Sequence, residues 1–173
     1  MRQQQANQIL ATLVLVLSML FPATNYAAES LELILVRHAE KVDKSSGSAL
    51  TRLGEHRAKN LADMLEDKAI TYIFSTPYNR TLLTAKPVAD DHKLPIIEYD
   101  ARALSDLAEQ LRRLAGAVLV VGHSNTTPIL ANHLLGTDFD ALEDHIYDRV
   151  YVVSISGDGN ATLRMLHTEP RTP

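Results

Sequence analysis

The alternation of short apolar runs with longer stretches of helical periodicity limits the possible folds more than any other feature of this chain. Four apolar runs have the length of buried strands, at residues 31–36, 70–74, 95–98 and 117–121. Between them, apolar residues recur every three to four positions, at residues 52–66, 78–91 and 102–115. This period is typical of helices with one buried face. Strands that alternate with helices predict an α/β fold, here a three-layer αβα sandwich with a mostly parallel sheet.

The last quarter of the chain predicts one more helix and a hairpin. The helix begins at about Thr127, because Pro128 suits a first helical turn. Two further strand-like runs, 149–155 and 161–166, are joined by the turn sequence "SGDGN". The hairpin predicts an antiparallel strand at an edge of the sheet. The run "AVLVV" at 117–121 is the most hydrophobic and is predicted to be central.

Three single residues are predicted to set helix boundaries. Thr51 is a candidate N-cap for the helix at 52–66, because its hydroxyl can accept a hydrogen bond from a free backbone N–H. Pro87 predicts a kink or the end of the helix at 78–91. Gly116 predicts the end of the helix at 102–115.

Residues 1–28 have the layout of a secretory signal peptide. Arg2 precedes an apolar run of 13 residues, Ile9–Phe21, and small residues follow Pro22. A membrane-spanning helix needs roughly 20 apolar residues. We therefore expect cleavage after Ala27 or Ala28 rather than a retained anchor. The expected mature protein, residues 29–173, is a single domain located in the periplasm or secreted.

The charge and the cysteine content exclude several classes of protein. The formal net charge is −4, and loss of residues 1–28 removes one arginine. This charge argues against broad binding to nucleic acid or to anionic membranes, although a local positive pocket is compatible with it. The chain contains no cysteine, which excludes disulfides and a lipid-modified cysteine. No His-x-His or His-x-x-x-His spacing occurs, so we expect neither a metal nor another cofactor. The sequence makes no prediction about the oligomeric state.

Reactive side chains follow three of the predicted strands. The first strand runs directly into Arg37 and His38, the second leads to Arg80, and the fourth ends before His123. Ligands of parallel α/β sheets bind beyond the carboxyl ends of the strands. We therefore expect these two arginines and two histidines to meet at one edge of the sheet.

Two guanidiniums and two imidazoles in one pocket point to phosphate chemistry. Arginine binds phosphate oxygens in pairs and never loses its charge. A neutral imidazole can attack phosphorus, and nearby arginines disfavour its protonated form. The helix predicted near Thr127 can add backbone N–H groups to the same anion.

Four motifs of the chain resemble those of the histidine phosphatase superfamily, in its small phosphoglycerate-mutase-like branch. They occur in the family's order, from about residue 31 to 166, as "LVRHAEK", "LTRLGEHRA", "STPYNRTLLTA" and "VVGHSNT". The resemblance implies that His38 is the nucleophile that becomes a phosphohistidine. It also implies that Arg37, Arg80 and His123 form the phosphate pocket.

The proton donor departs from the family pattern. Related enzymes often place a glutamate two residues after a leucine, where this chain has Asp106 in "ALSD". Asp106 is the candidate acid, and an exposed residue of a first helical turn is the alternative. Glu40 is the second candidate because it lies close to the nucleophile. A good leaving group needs no dedicated acid.

These observations predict an exported phosphomonoesterase that acts on a small phosphorylated substrate. A sugar phosphate, a phosphorylated envelope glycan and a nucleotide are the candidate substrates. A phospho-ligand-binding module without turnover and a phosphohistidine-protein phosphatase remain alternatives, while a mutase is disfavoured. Three loops are expected to set specificity, at residues 41–49, 91–95 and 135–148. The stretch before the hairpin is interpreted as a plain connection, with Tyr147 or Asp148 at the pocket rim as the alternative.

Overall fold

The computed structural model describes residues 30–172. The predicted signal peptide lies outside these residues and stays a prediction. The strands of the described part are β1 (Leu31–Arg37), β2 (Ile70–Ser75), β3 (Ile96–Glu98), β4 (Gly116–Gly122), β5 (Arg149–Ile155) and β6 (Ala161–His167). Its helices are α1 (Arg52–Leu65), α2 (Asn79–His92), α3 (Leu104–Leu111) and α4 (Thr126–Leu135).

The six strands form one sheet in the order β3-β2-β4-β1-β5-β6. Neighbours among the first four strands in this order pair in parallel, whereas β5 pairs antiparallel with both β1 and β6. β4 lies in the middle, as predicted for residues 117–121. Because β5 runs against β1, its amino end lies beside the carboxyl end of β1, where Val36 pairs with Val150. The edge that carries the carboxyl ends of the parallel strands therefore also carries the beginning of β5.

Helices cover both faces of the sheet, which confirms the predicted three layers. Leu33 and Leu35 of β1 face a cluster that contains residues of α3 and α4. Ile34 and Val36 point the other way, into a cluster with residues of α1 and α2. Strands buried on both faces have continuous apolar runs instead of an alternating pattern. This explains why the strand-like runs of the sequence are uninterrupted.

A side-chain cap marks the beginning of α1, and a left-handed residue marks the end of α2. The Oγ1 of Thr51 accepts a hydrogen bond of 3.1 Å from the N–H of Gly54, so the predicted cap of α1 is confirmed. Pro87 lies inside α2, and the prediction that it ends this helix is wrong. The helix instead ends at Lys93, which is left-handed with φ 56° and whose N–H turns back to the carbonyls of Ala89 and Asp90.

The third predicted helix is shorter than expected and does not end at Gly116. α3 covers residues 104–111, and Gly116 is the first residue of β4, paired with Leu31. The φ of Gly116 is +85°, and a Cβ there would lie 2.8 Å from the Cγ2 of Thr71. This glycine therefore permits a close turn into the strand, and it is not a helix cap.

Candidate active site

A group of reactive side chains lines an open pocket of about 650 Å³ at the carboxyl edge of the sheet. The structure brings together the four residues predicted to meet there, Arg37, His38, Arg80 and His123. They come from the ends of β1 and β4 and from the first turn of α2.

His38 follows β1 directly and is held at both its backbone and its ring. Its N–H donates to the carbonyl of Gly122 at 2.9 Å, which continues the pairing of β1 with β4. The side chain is 3% exposed, and its Nδ1 lies 2.7 Å from the carbonyl oxygen of Ala39. A carbonyl can only accept a hydrogen bond, so Nδ1 carries the ring proton. The lone pair of a neutral His38 is therefore on Nε2.

The second imidazole, His123, lies across the pocket from the first. The ring centroids of His38 and His123 are 5.5 Å apart, with an angle of 69° between the ring planes. The Nε2 of His123 is 3.0 Å from the Oγ1 of Thr76, and its Nδ1 is 3.4 Å from Nη2 of Arg80. Guanidinium nitrogens only donate, so Nδ1 accepts and Nε2 carries the proton.

Burial and the nearby cations keep both imidazoles neutral. Burial is the largest cause that lowers the pKa of His38, and the charge of Arg37 adds to it, giving a pKa of about 3. The hydrogen bond to Ala39 opposes this shift. Burial also lowers the pKa of His123, to about 4, with Arg80 as the next cause. An unprotonated nitrogen is thus available on His38 throughout the neutral pH range.

Arg37, the last residue of β1, is fixed by the loop that precedes β5. Its Nη1 donates to the carbonyls of Glu143 at 3.0 Å, Asp144 at 3.1 Å and Ile146 at 2.7 Å. The guanidinium lies 3.9 Å from the ring centroid of Tyr147. All three of these bonds use Nη1, and the buried Nε has no hydrogen-bond partner among residues 30–172. The guanidinium therefore keeps donors that a bound anion can use.

Arg80 stands on the opposite wall, near the start of α2. Its guanidinium lies 4.5 Å from the ring centroid of Tyr78, and Nη1 donates to the carbonyl of Ser45 at 3.4 Å. Within the described part of the chain its buried Nε also lacks a partner. Two arginines with unused donors thus flank the two histidines.

The amino end of α4 contributes the floor of the pocket. Ser124, Asn125 and Thr126 all line it. The Oγ1 of Thr126 accepts a hydrogen bond of 2.8 Å from the N–H of His123, which fixes the turn between β4 and the helix. A helix amino terminus is favourable for negative charge, so this turn adds to the positive potential of the site.

Neither of the two candidate acids lines the pocket. Asp106 is exposed on α3, whose apolar face is formed by Leu104, Leu107 and Leu111, and the prediction that it serves the site has no support in this geometry. The amphipathic pattern of α3 turns Asp106 away from the core, as in the alternative interpretation. Glu40 is held in an ion pair of 2.6 Å with the buried Arg57.

Of the two residues named as alternatives for the pocket rim, one lies in the pocket. Tyr147 lines it, whereas Asp148 is buried and paired with His167 at 2.9 Å. The interpretation of this stretch as a plain connection is therefore wrong for Tyr147. The available signal was the antiparallel β5, because such a strand begins at the edge where its parallel neighbours end.

Two of the three loops expected to set specificity reach the pocket. Lys41 and Lys44 belong to the loop at 41–49, and Asp144 belongs to the loop at 135–148. No residue of the third loop, 91–95, lines it. Arg102 adds a further positive side chain at the rim, where it pairs with Asp100 at 3.0 Å.

Residues 30–172 contain neither a cluster of metal ligands nor a membrane-spanning helix. No group of three or more histidine, cysteine, aspartate or glutamate side chains there is placed to hold a metal ion. None of the helices in this range is long and apolar enough to cross a membrane.

Comparison with known proteins shows similarity to one family over part of the chain. Residues 33–102 match the model of the histidine phosphatase superfamily (branch 1). Phosphoserine phosphatase 1 of Hydrogenobacter thermophilus is 38% identical over 76 residues, which cover 40% of this chain and 36% of that protein. The chain thus spans little more than a third of the length of this curated relative.

Solved structures share the fold over most of this chain. A mycobacterial glucosyl-3-phosphoglycerate phosphatase has a TM-score of 0.63 at 13% identity and covers 81% of this chain and 100% of its own. The protein histidine phosphatase SixA complexed with tungstate has a TM-score of 0.62 at 20% identity, covering 80% and 97%. A phosphoglycerate mutase from Bacillus anthracis has a TM-score of 0.61 at 15% identity, covering 81% and 94%.

Proposed function

We propose that this chain is a member of the histidine phosphatase superfamily, whose model matches residues 33–102, and that it is a phosphomonoesterase that works through a phosphohistidine on His38. The observation that carries the proposal is the state of the His38 ring. The carbonyl of Ala39 holds the proton on Nδ1, and burial holds the ring neutral. Nε2 is therefore a free nucleophile beside two arginines with unused donors.

The first chemical step transfers the phosphoryl group to the enzyme. The lone pair of His38 Nε2 forms a bond to phosphorus while the bond between phosphorus and the leaving-group oxygen breaks. The leaving oxygen keeps the electron pair of that bond. The ring now carries a positive charge, which the hydrogen bond from Nδ1 to Ala39 stabilises. Arg37 and Arg80 hold the equatorial oxygens, where negative charge is concentrated, and His123 orients Arg80 by accepting a hydrogen bond from its Nη2.

The second step returns the enzyme to its starting state. A water oxygen attacks phosphorus, the bond between phosphorus and Nε2 breaks, and its electron pair returns to the ring. The attacking water passes one proton to bulk water, and the product leaves as hydrogen phosphate. A neutral His38 with its proton on Nδ1 is restored.

The leaving-group oxygen needs a proton only when it is strongly basic. Of the described residues that line the pocket, Asp144 alone carries a carboxylate. The p-nitrophenolate ion is only weakly basic, because its nitro group delocalises the negative charge, so it can leave without a proton donor. We therefore expect p-nitrophenyl phosphate to be a substrate even if natural esters react by a slower proton transfer.

Hydrolysis of p-nitrophenyl phosphate between pH 4 and 8 is the direct test. The protein should release p-nitrophenolate, and samples quenched with alkali, in which phosphohistidine is stable, should contain a phosphoprotein that His38→Ala lacks. His56, which is exposed on α1, supplies the control: His56→Ala should keep full activity. If folded protein showed no turnover anywhere in this range, the proposal would be wrong.

A binding module without turnover is the second candidate function. What favours it is the position of the two candidate acids, with Asp106 outside the pocket and Glu40 paired to Arg57. Such a module would bind vanadate or phosphate tightly and hydrolyse neither aryl nor alkyl esters. A substrate panel that includes a phosphohistidine peptide would at the same time separate a small-molecule phosphatase from a protein phosphatase.

We also propose that the enzyme is exported, on the basis of residues 1–28 alone. Cell fractionation with amino-terminal sequencing of the purified protein tests this directly. A mature chain that begins at Ala28 or Glu29 is the expected result. A chain that keeps its first residues in the cytoplasm contradicts it.

A further inference from the structure

Two lysines without ion-pair partners line the same pocket as the nucleophile. The ammonium groups of Lys41 and Lys44 make no hydrogen bond and no ion pair with any residue between 30 and 172. Most other lysines in this range are paired, namely Lys59 with Asp63, Lys68 with Glu32 and Lys86 with Asp90. The unpaired lysines are therefore concentrated where a ligand is expected.

The backbone around Lys41 is fixed, so its position is a property of the fold. Lys41 forms a β-bridge with Leu50, and the N–H of Val42 donates to the carbonyl of Ala49 at 3.0 Å. Burial and then the charges of Arg80 and Arg37 lower the pKa of Lys41. The two arginines thus repel this third cation, and an anion bound among the three would relieve the repulsion.

Lys44 is on a loop that is tied to the wall of the pocket. The carbonyl of Ser45, its neighbour, accepts from Nη1 of Arg80, and the carbonyl of Gly47 accepts from the side chain of Asn79 at 3.2 Å. The carboxylate of Asp43 caps the N–H of Ser45 at 2.7 Å. These bonds hold the loop against the amino end of α2 and keep Lys44 at the pocket.

The charge of the pocket exceeds what one phosphate group needs. A phosphomonoester carries close to two negative charges at neutral pH, which Arg37 and Arg80 match. Arg102 is offset by Asp100. Lys41 and Lys44 then face one lining carboxylate, that of Asp144. After this balance one positive charge of the pocket has no partner, although the protein as a whole has a formal net charge of −4.

We propose that the natural substrate carries a second anionic group, a carboxylate or a second phosphate, which Lys41 and Lys44 bind. This inference rests on the proposed function, because it assumes that Arg37 and Arg80 hold the phosphoryl group. It narrows the substrate class to phosphorylated acids and bisphosphates and disfavours neutral sugar monophosphates.

Matched pairs of ligands test the inference by binding, in the His38→Ala background that prevents turnover. Phosphoglycolate is compared with ethyl phosphate, and propane-1,3-diol bisphosphate is compared with propyl phosphate. Calorimetry should give a dissociation constant about tenfold lower for at least one doubly anionic member, the factor typical of one charged hydrogen bond. The pair that shows the gain identifies the second group as a carboxylate or a phosphate.

The lysines are then replaced together. With Lys41→Gln and Lys44→Gln, the ratio of the two dissociation constants should fall to about one, while Lys59→Gln on α1 should leave it unchanged. The wild-type ratio should also shrink as salt is raised, because exposed charges are screened. Circular dichroism of the double variant checks that it is folded.

The outcomes separate the two proposals. Equal affinity for both members of each pair, or a ratio that survives the double substitution, overturns the second-anion inference and leaves the phosphatase intact. A clear binding preference without hydrolysis of any ester by the wild-type protein removes the proposed function and keeps the inference. Failure of all four ligands to bind overturns both.

Discussion

The protonation state of the His38 imidazole decides whether its Nε2 can attack phosphorus. His38 is a nucleophile because one backbone carbonyl fixes its tautomer and burial prevents its protonation. The same burial links catalysis to stability, since the unfolded chain binds a proton on this ring at a pH where the folded chain does not.

As the pH is lowered, the free energy of unfolding should decrease more steeply in the wild-type protein than in His38→Asn. The folded pKa of His38 is about 3, below its ordinary value of 6.5, so its contribution is fully present above pH 6.5 and is lost as the pH falls towards 3. Between pH 7.5 and 4.5 this single group should account for about 2 kcal/mol of the free energy of unfolding. Urea unfolding at both pH values measures the difference. Equal slopes in the two proteins would show that the ring is not desolvated, and His56→Asn should behave like the wild type.

Substitution of Arg37 should impair catalysis strongly, whereas substitution of Asp106 should hardly affect it. Arg37→Ala removes a preorganised donor and should lower kcat by roughly 10²–10³, equivalent to about 2.7–4 kcal/mol. Asp106→Asn should leave kcat/KM for p-nitrophenyl phosphate within about twofold, because Asp106 is exposed and does not line the pocket. Steady-state kinetics on both variants decides this. A loss of a hundredfold in Asp106→Asn would restore Asp106 as the acid.

At the scale of elements, α1 holds the nucleophile loop from behind. Gly54 lies so close to Glu40 that an added Cβ would be 2.3 Å from the carbonyl oxygen of Glu40. In addition, Arg57 of the same helix pairs with the Glu40 carboxylate through Nε and Nη2. Two residues of one helix therefore set the path of the chain just after His38.

Gly54→Ala should consequently damage both stability and activity. The backbone carbonyl of Glu40 cannot move aside without displacing the loop around it. We therefore expect a loss of about 1–3 kcal/mol in the free energy of unfolding. The displaced loop should also lower kcat. The matched control is Gly47→Ala, since a Cβ at Gly47 would meet nothing within 4 Å. Similar values for both alanine variants in chemical denaturation and kinetics would contradict this account.

At the scale of the whole molecule, the final residues connect the two sides of the structure. Nη1 of the buried Arg57 donates to the Oγ1 of Thr168 at 3.0 Å and to the carbonyl of Pro170 at 2.7 Å. The N–H of Thr168 donates to the carbonyl of Asp148 at 2.8 Å. The tail thereby joins α1 to the segment that leads into β5, and both of these contact pocket residues.

Ending the chain at His167 should therefore destabilise the whole domain. The truncation leaves Nη1 of Arg57 buried without an acceptor, which should lower the free energy of unfolding by about 1–3 kcal/mol or more. Thermal unfolding compared with Glu169→Ala, which removes only exposed contacts to Arg171, isolates the effect. An unchanged transition in the truncated chain would show that the tail only covers the surface.

Much of the architecture was predictable because it depends on local periodicity. The apolar runs and the helical spacing predicted the three layers, and the position of reactive residues after β1 and β4 predicted one common pocket. Boundaries were less certain where a backbone conformation decided them. Lys93 ends α2 through a left-handed turn that its residue type does not indicate, and Pro87 is tolerated six residues earlier.

The sequence by itself determined which residues lie at the ends of parallel strands, because strand direction and connection follow from the pattern of elements. This was sufficient to bring Arg37, His38, Arg80 and His123 together. Only the tertiary structure decided the rest of the pocket: the tautomer of His38, the entry of Tyr147, the exposure of Asp106 and the pairing of Glu40. Each of these depends on which way a side chain points relative to residues far away in the chain, and no local pattern carries that information.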